Sequence, residues 1–230
     1  MIKGLQKTTL IDYPGKVACT VFFAGCNFRC GFCYNKDLVF NSKNLKEIKE
    51  EDVLAFLKQR KKWLDGVVIG GGEPTMSKEL PLFLKKIKDM GLLAKLDTNG
   101  SMPGVLNKLL EEGLVDYIAM DIKAPLEKNS YKKATGIFSD VEKIKESIRL
   151  LANSGIEHEF RTTVVPAIHE KEGITQIAKQ IKGAKKYVLQ MFEAKSSLID
   201  KTLEKTKPYS HEEMEEIRKS CSRFVPTELR

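Results

Sequence analysis

The sequence predicts an α/β fold, a partial (β/α)6 TIM-like barrel with parallel strands, and three observations predict it. Six short apolar runs alternate with segments of helical apolar spacing. No hairpin turn separates those runs, which implies parallel strands joined by right-handed crossovers. A complete eight-unit barrel takes about 250 residues, so 230 residues, less leading and trailing segments, leave room for about six units. A flat doubly wound sheet satisfies the same periodicity and stays open as the alternative. One domain is expected, with a core over about 17–192 and a C-terminal extension over 193–230 that carries a terminal helix.

Each element has its own signal. The run Thr8-Thr9-Leu10-Ile11-Asp12-Tyr13-Pro14-Gly15 reads as a short edge strand closed by a Pro-Gly turn. The first core strand, 17–24, feeds a cysteine loop, after which 41–50 is polar and irregular. Residues 51–64 carry Val53, Leu54, Phe56, Leu57 and Leu64 at helical spacing. From there strands at 66–69, 92–96, 115–120, 157–165 and 186–192 alternate with helices at 80–90, 105–112, 140–153 and 174–181. Gly91, Gly113 and Gly155 sit where helices stop, and the helix over 140–153 is expected to be capped near Ser139. A last helix at 210–223 opens with Glu212 and Glu213, which suits its dipole.

Composition excludes several classes. The net charge of +8, from 39 Lys and Arg against 31 Asp and Glu, is spread along the chain. It lacks the aromatic–basic interleaving of a nucleic-acid surface. The first residues have no apolar core of a signal peptide, and no apolar run approaches the roughly 18 residues of a membrane span. A cytoplasmic protein with reduced thiols is expected, with neither nucleic acid nor membrane as partner.

Chemistry concentrates between Gly25 and Asn35. Cys26, Cys30 and Cys33 are spaced C-x3-C-x2-C directly after an apolar strand. Thiolates this close repel unless a cation shares them, so the loop reads as a metal or iron–sulfur site. A closed site needs four protein ligands and only three are present; a cubane held by three keeps one iron open. The bland alternative is a zinc loop completed at a distance by Cys19, Cys221, His158, His169 or His211.

The strand ends carry the rest. The glycines of Gly70-Gly71-Gly72-Glu73-Pro74 permit close backbone approach to a ligand, and their carbonyls suit an ammonium group. Asp97 and Asp121 together can hold ribose hydroxyls, a cation or a cationic side chain, and Lys123 and Arg161 are the available anion partners. Arg161 and Gln190 lie within their strands and face a ligand only if the alternation phase is right. His169 reads as solvated.

These motifs resemble the radical S-adenosylmethionine (SAM) superfamily, over about 190 residues from Thr8 onward. Asp12-Tyr13-Pro14-Gly15, Cys33-Tyr34-Asn35, Leu96-Asp97-Thr98-Asn99-Gly100 and Met120-Asp121-Ile122-Lys123 resemble the glycyl-radical-enzyme activases, above all those of anaerobic ribonucleoside-triphosphate reductase. The resemblance implies that Cys26, Cys30 and Cys33 hold a [4Fe–4S] cluster whose open iron is chelated by the amino and carboxylate groups of SAM. It places Gly71, Gly72 and Glu73 at the SAM amino group and Phe32 near the adenine. Asp97, Thr98 and Asp121 match positions around a monovalent cation beside SAM, and Lys123 and Arg161 match residues near its ribose and carboxylate.

The implied activity follows. An electron from the reduced cluster, supplied by a flavodoxin- or ferredoxin-type donor, splits the sulfonium. The 5′-deoxyadenosyl radical then takes a hydrogen from a glycine of a partner glycyl radical enzyme, here anaerobic ribonucleotide reductase. Tyr34 stands where many activases have His, and Gln190-Met191-Phe192 replaces a His-bearing segment of the formate-lyase activase. The ferredoxin-like cysteine insert of some activases is also absent. The competing functions are a radical SAM enzyme for a small molecule, such as a purine-like heterocycle, and a non-enzymatic metal module.

Overall fold

The computed structural model describes residues 2–40, 43–194 and 197–230. Positions 41 and 42 of the expected irregular stretch lie outside the described residues. Strand β1 (Ile2–Thr9) pairs antiparallel with β2 (Ala18–Phe23). Helices α1 (Lys36–Phe40) and α2 (Glu50–Arg60) precede β3 (Gly66–Gly71), and α3 (Leu80–Asp89) leads to β4 (Leu93–Thr98). Next come α4 (Pro103–Glu111), β5 (Tyr117–Asp121), α5 (Lys128–Thr135), α6 (Val141–Asn153) and β6 (Glu157–Val164). The chain ends through α7 (Lys171–Gln180), β7 (Tyr187–Met191), α8 (His211–Cys221) and β8 (Thr227–Leu229).

The eight strands form one sheet in chain order, and β2 with β3, β3 with β4, β6 with β7 and β7 with β8 pair parallel. The fold is therefore α/β with a mostly parallel sheet, and its six expected core strands are β2 to β7. β2 and β3 are buried along almost their whole length, as strands covered on both faces must be. The helices obey the 3.6 period: α3 buries Leu80, Phe83, Leu84 and Ile87, and α6 buries Val141, Ile144, Ile148 and Leu151.

One local expectation needs correction, and short or polar elements escape the sequence. The edge strand is Ile2–Thr9, earlier than the run from Thr8 to Gly15, which instead turns back: Thr9 Oγ1 accepts the Asp12 amide (3.3 Å) and Tyr13 O accepts the Lys16 amide (3.1 Å). Lys3, Gln6 and Lys7 hide the strand from hydrophobic patterning, and pairing with β2 supplies its backbone partners. The cap of α6 is Asp140, whose Oδ1 accepts the Glu142 amide (3.1 Å), one residue after Ser139. Helix α5 is too polar to show apolar spacing, and β8 is too short to show alternation.

The chain divides into two compact units. The first comprises Met1–Asn27, Asp37–Thr98 and Gly104–Ile118, and its core includes the fully buried Val21, Ile69, Leu84 and Leu96. The second comprises Phe28–Lys36, Asn99–Pro103 and Ala119–Arg230, around Tyr131, Phe160, Ile177 and Leu189. No helix among the described residues is long and apolar enough to cross a membrane.

Candidate active site

The cysteine loop leaves β2 and is tied down by backbone bonds along its length. In the first unit, the Gly25 amide donates to Leu38 O in α1 (2.9 Å) and Gly25 O accepts the Glu73 amide (2.7 Å). In the second, the Arg29 amide donates to Thr135 O (2.8 Å), the Cys33 amide to Cys30 O (3.0 Å), and Gly31 O accepts the Asp200 amide (2.8 Å). None of Cys26, Cys30 and Cys33 is in a disulfide; Cys30 is buried and the other two are half-buried.

The glycine segment after β3 meets this loop directly. Gly71 has φ +108°, and a Cβ there would lie 2.6 Å from Phe23 O. A Cβ on Gly72 would lie 1.9 Å from Gly25 O. The close approach seen is therefore to the chain's own cysteine-bearing segment. The Glu73 side chain turns inward, 1% exposed, and accepts the Thr75 amide (3.2 Å), the Thr75 hydroxyl and the Thr98 hydroxyl (2.7 Å). It thereby ties the end of β3 to the end of β4. Two residues before Asp97, the buried Lys95 ammonium donates to Asp97 Oδ1 and lies 5.8 Å from the centre of the Tyr117 ring.

The second unit holds a denser charge cluster. Asp121, at the end of β5, accepts Lys123 Nζ on Oδ2 (2.9 Å) and Arg161 Nε on Oδ1 (2.8 Å). Arg161 and Thr163 share a face two residues apart, and Thr163 registers with Gln190, whose Oε1 lies 3.5 Å from its hydroxyl. Burial penalises the Asp121 carboxylate, but Arg161 and Lys123 outweigh it and hold its pKa far below the ordinary range. Burial likewise opposes the Lys123 charge, while Asp121 and the Cys30 and Cys33 thiols draw its pKa well above that of a free lysine.

His169 is buried rather than solvated, because its ring joins this cluster. The Val165 amide donates to Nδ1 (3.0 Å), which leaves the proton on Nε2, and Nε2 donates to Lys123 O (2.8 Å). Burial, with the nearby Lys133 and Lys123 charges, pushes its pKa down to about 4, so the ring is neutral. Its edge packs on Phe32 (6.3 Å between centres), and Lys123 Nζ lies 5.8 Å from the centre of the Phe32 ring. Tyr131 of α5 accepts the Lys123 amide on its hydroxyl (3.3 Å). Lys95 and Tyr131 escape sequence reading; the one local signal was a lysine at the centre of an apolar strand.

The donor set fits a cluster held by three thiolates, with the Lys123 ammonium near two of them. Of the residues that could complete a zinc site, His169, Cys19 and Cys221 are engaged or sealed in the core. His169 uses both ring nitrogens on backbone groups. Burial pushes the thiols of Cys19 and Cys221 up to about 12, and Cys221 Sγ lies 3.7 Å from Ile174 O. His158 Nδ1 sits 3.1 Å from Ile156 O, and His211 is exposed in the first turn of α8. Among the described residues, no three His, Cys, Asp or Glu side chains converge as a single ion requires, whereas a cubane spreads its thiolates over separate irons.

Residues 20–181 match the Radical SAM superfamily. The chain belongs to the radical SAM superfamily. That family works with a [4Fe–4S] cluster and SAM. A Methanocaldococcus jannaschii protein named, by assignment, a glycyl-radical enzyme activating enzyme is 32% identical over 98% of this chain and 93% of its own. The pyruvate formate-lyase-activating enzyme of Clostridium pasteurianum is 30% identical over 79% of this chain and 76% of its own. Among solved structures, Streptococcus suis SuiB bound to S-adenosylmethionine superposes with a TM-score of 0.71 at 13% identity, over 92% of this chain and 51% of that one. This radical SAM chain spans about half the length of SuiB, and the likeness shows the shared fold.

Proposed function

We propose that the protein is a glycyl-radical-enzyme activase that uses SAM in the cytoplasm. Its partner is anaerobic ribonucleotide reductase, and its electrons come from a flavodoxin- or ferredoxin-type donor. The observation that carries this reading is the similarity to an activating enzyme over nearly the full length of both chains. When bound, the cluster and SAM supply the electron and the 5′-deoxyadenosyl radical that removes a hydrogen atom from the partner's glycine.

The chain's own residues have defined tasks in this reading. Cys26, Cys30 and Cys33 hold the cluster. Because the Glu73 carboxylate is engaged by Thr75 and Thr98, the SAM ammonium is received by backbone carbonyls of the segment Gly71, Gly72 and Glu73. Lys123 and Arg161 meet the SAM carboxylate and ribose, with Asp121 keeping both side chains charged and oriented. Phe32, backed by His169, offers its ring to the adenine. Asp97 and Thr98 complete the residues assigned to SAM in this reading.

The test is anaerobic. Reconstituted protein with reductant and SAM is mixed with a co-encoded anaerobic reductase, and a glycyl EPR doublet is expected on the reductase. Formation of 5′-deoxyadenosine stimulated by a small metabolite, with no protein radical on any such reductase, would replace this reading with the small-molecule one.

A further inference from the structure

Lys95 is at odds with its surroundings. It stands in the middle of β4 between the buried Ala94 and Leu96 and is itself 1% exposed, where strand interiors take apolar side chains. A buried ammonium persists only when a partner compensates its lost hydration. That partner is the Asp97 carboxylate, two residues on and so on the same face of the strand, with the face of Tyr117 as a second contact. Asp97 is the accessible end of the pair, its side chain 26% exposed. Gly70 beside it presents no side chain, and a Cβ there would sit 3.5 Å from Asp97 Cβ. The pair has a positive end sealed in the core and a carboxylate at the strand's end.

A bare carboxylate in the SAM site would disfavour the negatively charged carboxylate of SAM. The resemblance drawn from the sequence relieves that repulsion with a monovalent metal ion. Here a cation belonging to the chain already rests on Asp97, the Lys95 ammonium donating to its Oδ1. We infer that Lys95 is the built-in counter-cation of the SAM site, so that SAM binding in this protein requires no monovalent metal ion. An ammonium and K+ carry the same charge and take the same oxygen partners, but the tethered group is present whatever the salt. Lys95 is thus a positioning residue, acting on SAM through Asp97. The inference rests on the assignment of Asp97 to the SAM site.

Cluster-loaded, reduced protein is titrated with SAM and followed by the EPR signal of the reduced cluster, at constant ionic strength in potassium, sodium or tetramethylammonium chloride. The wild-type affinity is expected to vary by less than about twofold among the salts, whereas Lys95→Met should lose about tenfold in tetramethylammonium and regain it in potassium or sodium. The double variant Lys95→Met with Asp97→Asn should again be indifferent to the cation, with folding checked by circular dichroism. A wild-type affinity that collapses about tenfold without alkali cations overturns the inference, and this arm decides even if the variants do not fold. A folded Lys95→Met protein that ignores the cation overturns it as well. If SAM perturbs the cluster signal in no salt, the SAM-site assignment itself fails and the inference falls with it.

Discussion

Replacing Gly72 by alanine should dismantle the cysteine loop from behind. The new Cβ would sit 1.9 Å from Gly25 O, 2.6 Å from its carbonyl carbon and 3.2 Å from its amide nitrogen. All three are backbone atoms, so no rotamer change relieves the clash. Restoring an ordinary contact moves Gly25 by more than about 1 Å, one residue before Cys26. The shift also breaks the bond from the Glu73 amide to Gly25 O, now 2.7 Å. Overpacking costs about 1–3 kcal/mol and the lost bond about 1 kcal/mol, so roughly 3 kcal/mol is expected. At this chain length that lowers Tm by about 6–12 °C. The assay is thermal unfolding together with iron and acid-labile sulfide per chain after anaerobic reconstitution. Gly104→Ala is the control: its Cβ meets nothing within 4 Å, and in α4 alanine should stabilise by up to about 1 kcal/mol. A Gly72→Ala protein with wild-type Tm and full iron content would refute the reasoning.

Three further outcomes are expected. The neutral His169 binds its proton less readily when folded, with a pKa of about 4 against about 6.5 unfolded. Its contribution is therefore complete above pH 6.5 and is lost as pH falls toward 4, amounting to about 3 kcal/mol. Between those limits the Tm of His169→Gln should depend on pH less steeply than that of wild type, and parallel slopes would contradict the assignment. Arg230→Ala should cost about 3 kcal/mol by urea unfolding, because Arg230 holds both oxygens of the fully buried Glu159 (2.9 and 2.8 Å). A wild-type midpoint would show that the pair contributes nothing. In cluster-free reduced protein, iodoacetamide followed by mass mapping should modify Cys26 and Cys33 well before Cys19 and Cys221, which are fully buried with thiols near 12. Equal rates at all four would mean that β2 and α8 open far more readily than their packing implies.

The sequence by itself determined the features that depend on neighbouring residues. The spacing of Cys26, Cys30 and Cys33 lies within one loop, and the six core strands and their helices announce themselves by periods of two and 3.6. Asp121 was legible as a candidate because it ends a strand, where parallel α/β folds gather ligand-binding groups, and Arg161 as a cation within a strand. What only the tertiary structure decided was the partner of each charge. Asp121 takes Arg161 from 40 residues away, and Lys123 O takes His169 from 46. Glu73 faces inward to Thr98 rather than outward to a ligand. These choices follow from strand register and burial, which no local pattern encodes, and the polar strand β1 exists because β2 pairs with it. Lys95 is the sharpest case: as one letter in an apolar strand it looks misplaced, and its contacts with Asp97 and Tyr117 explain how a charge can be kept there.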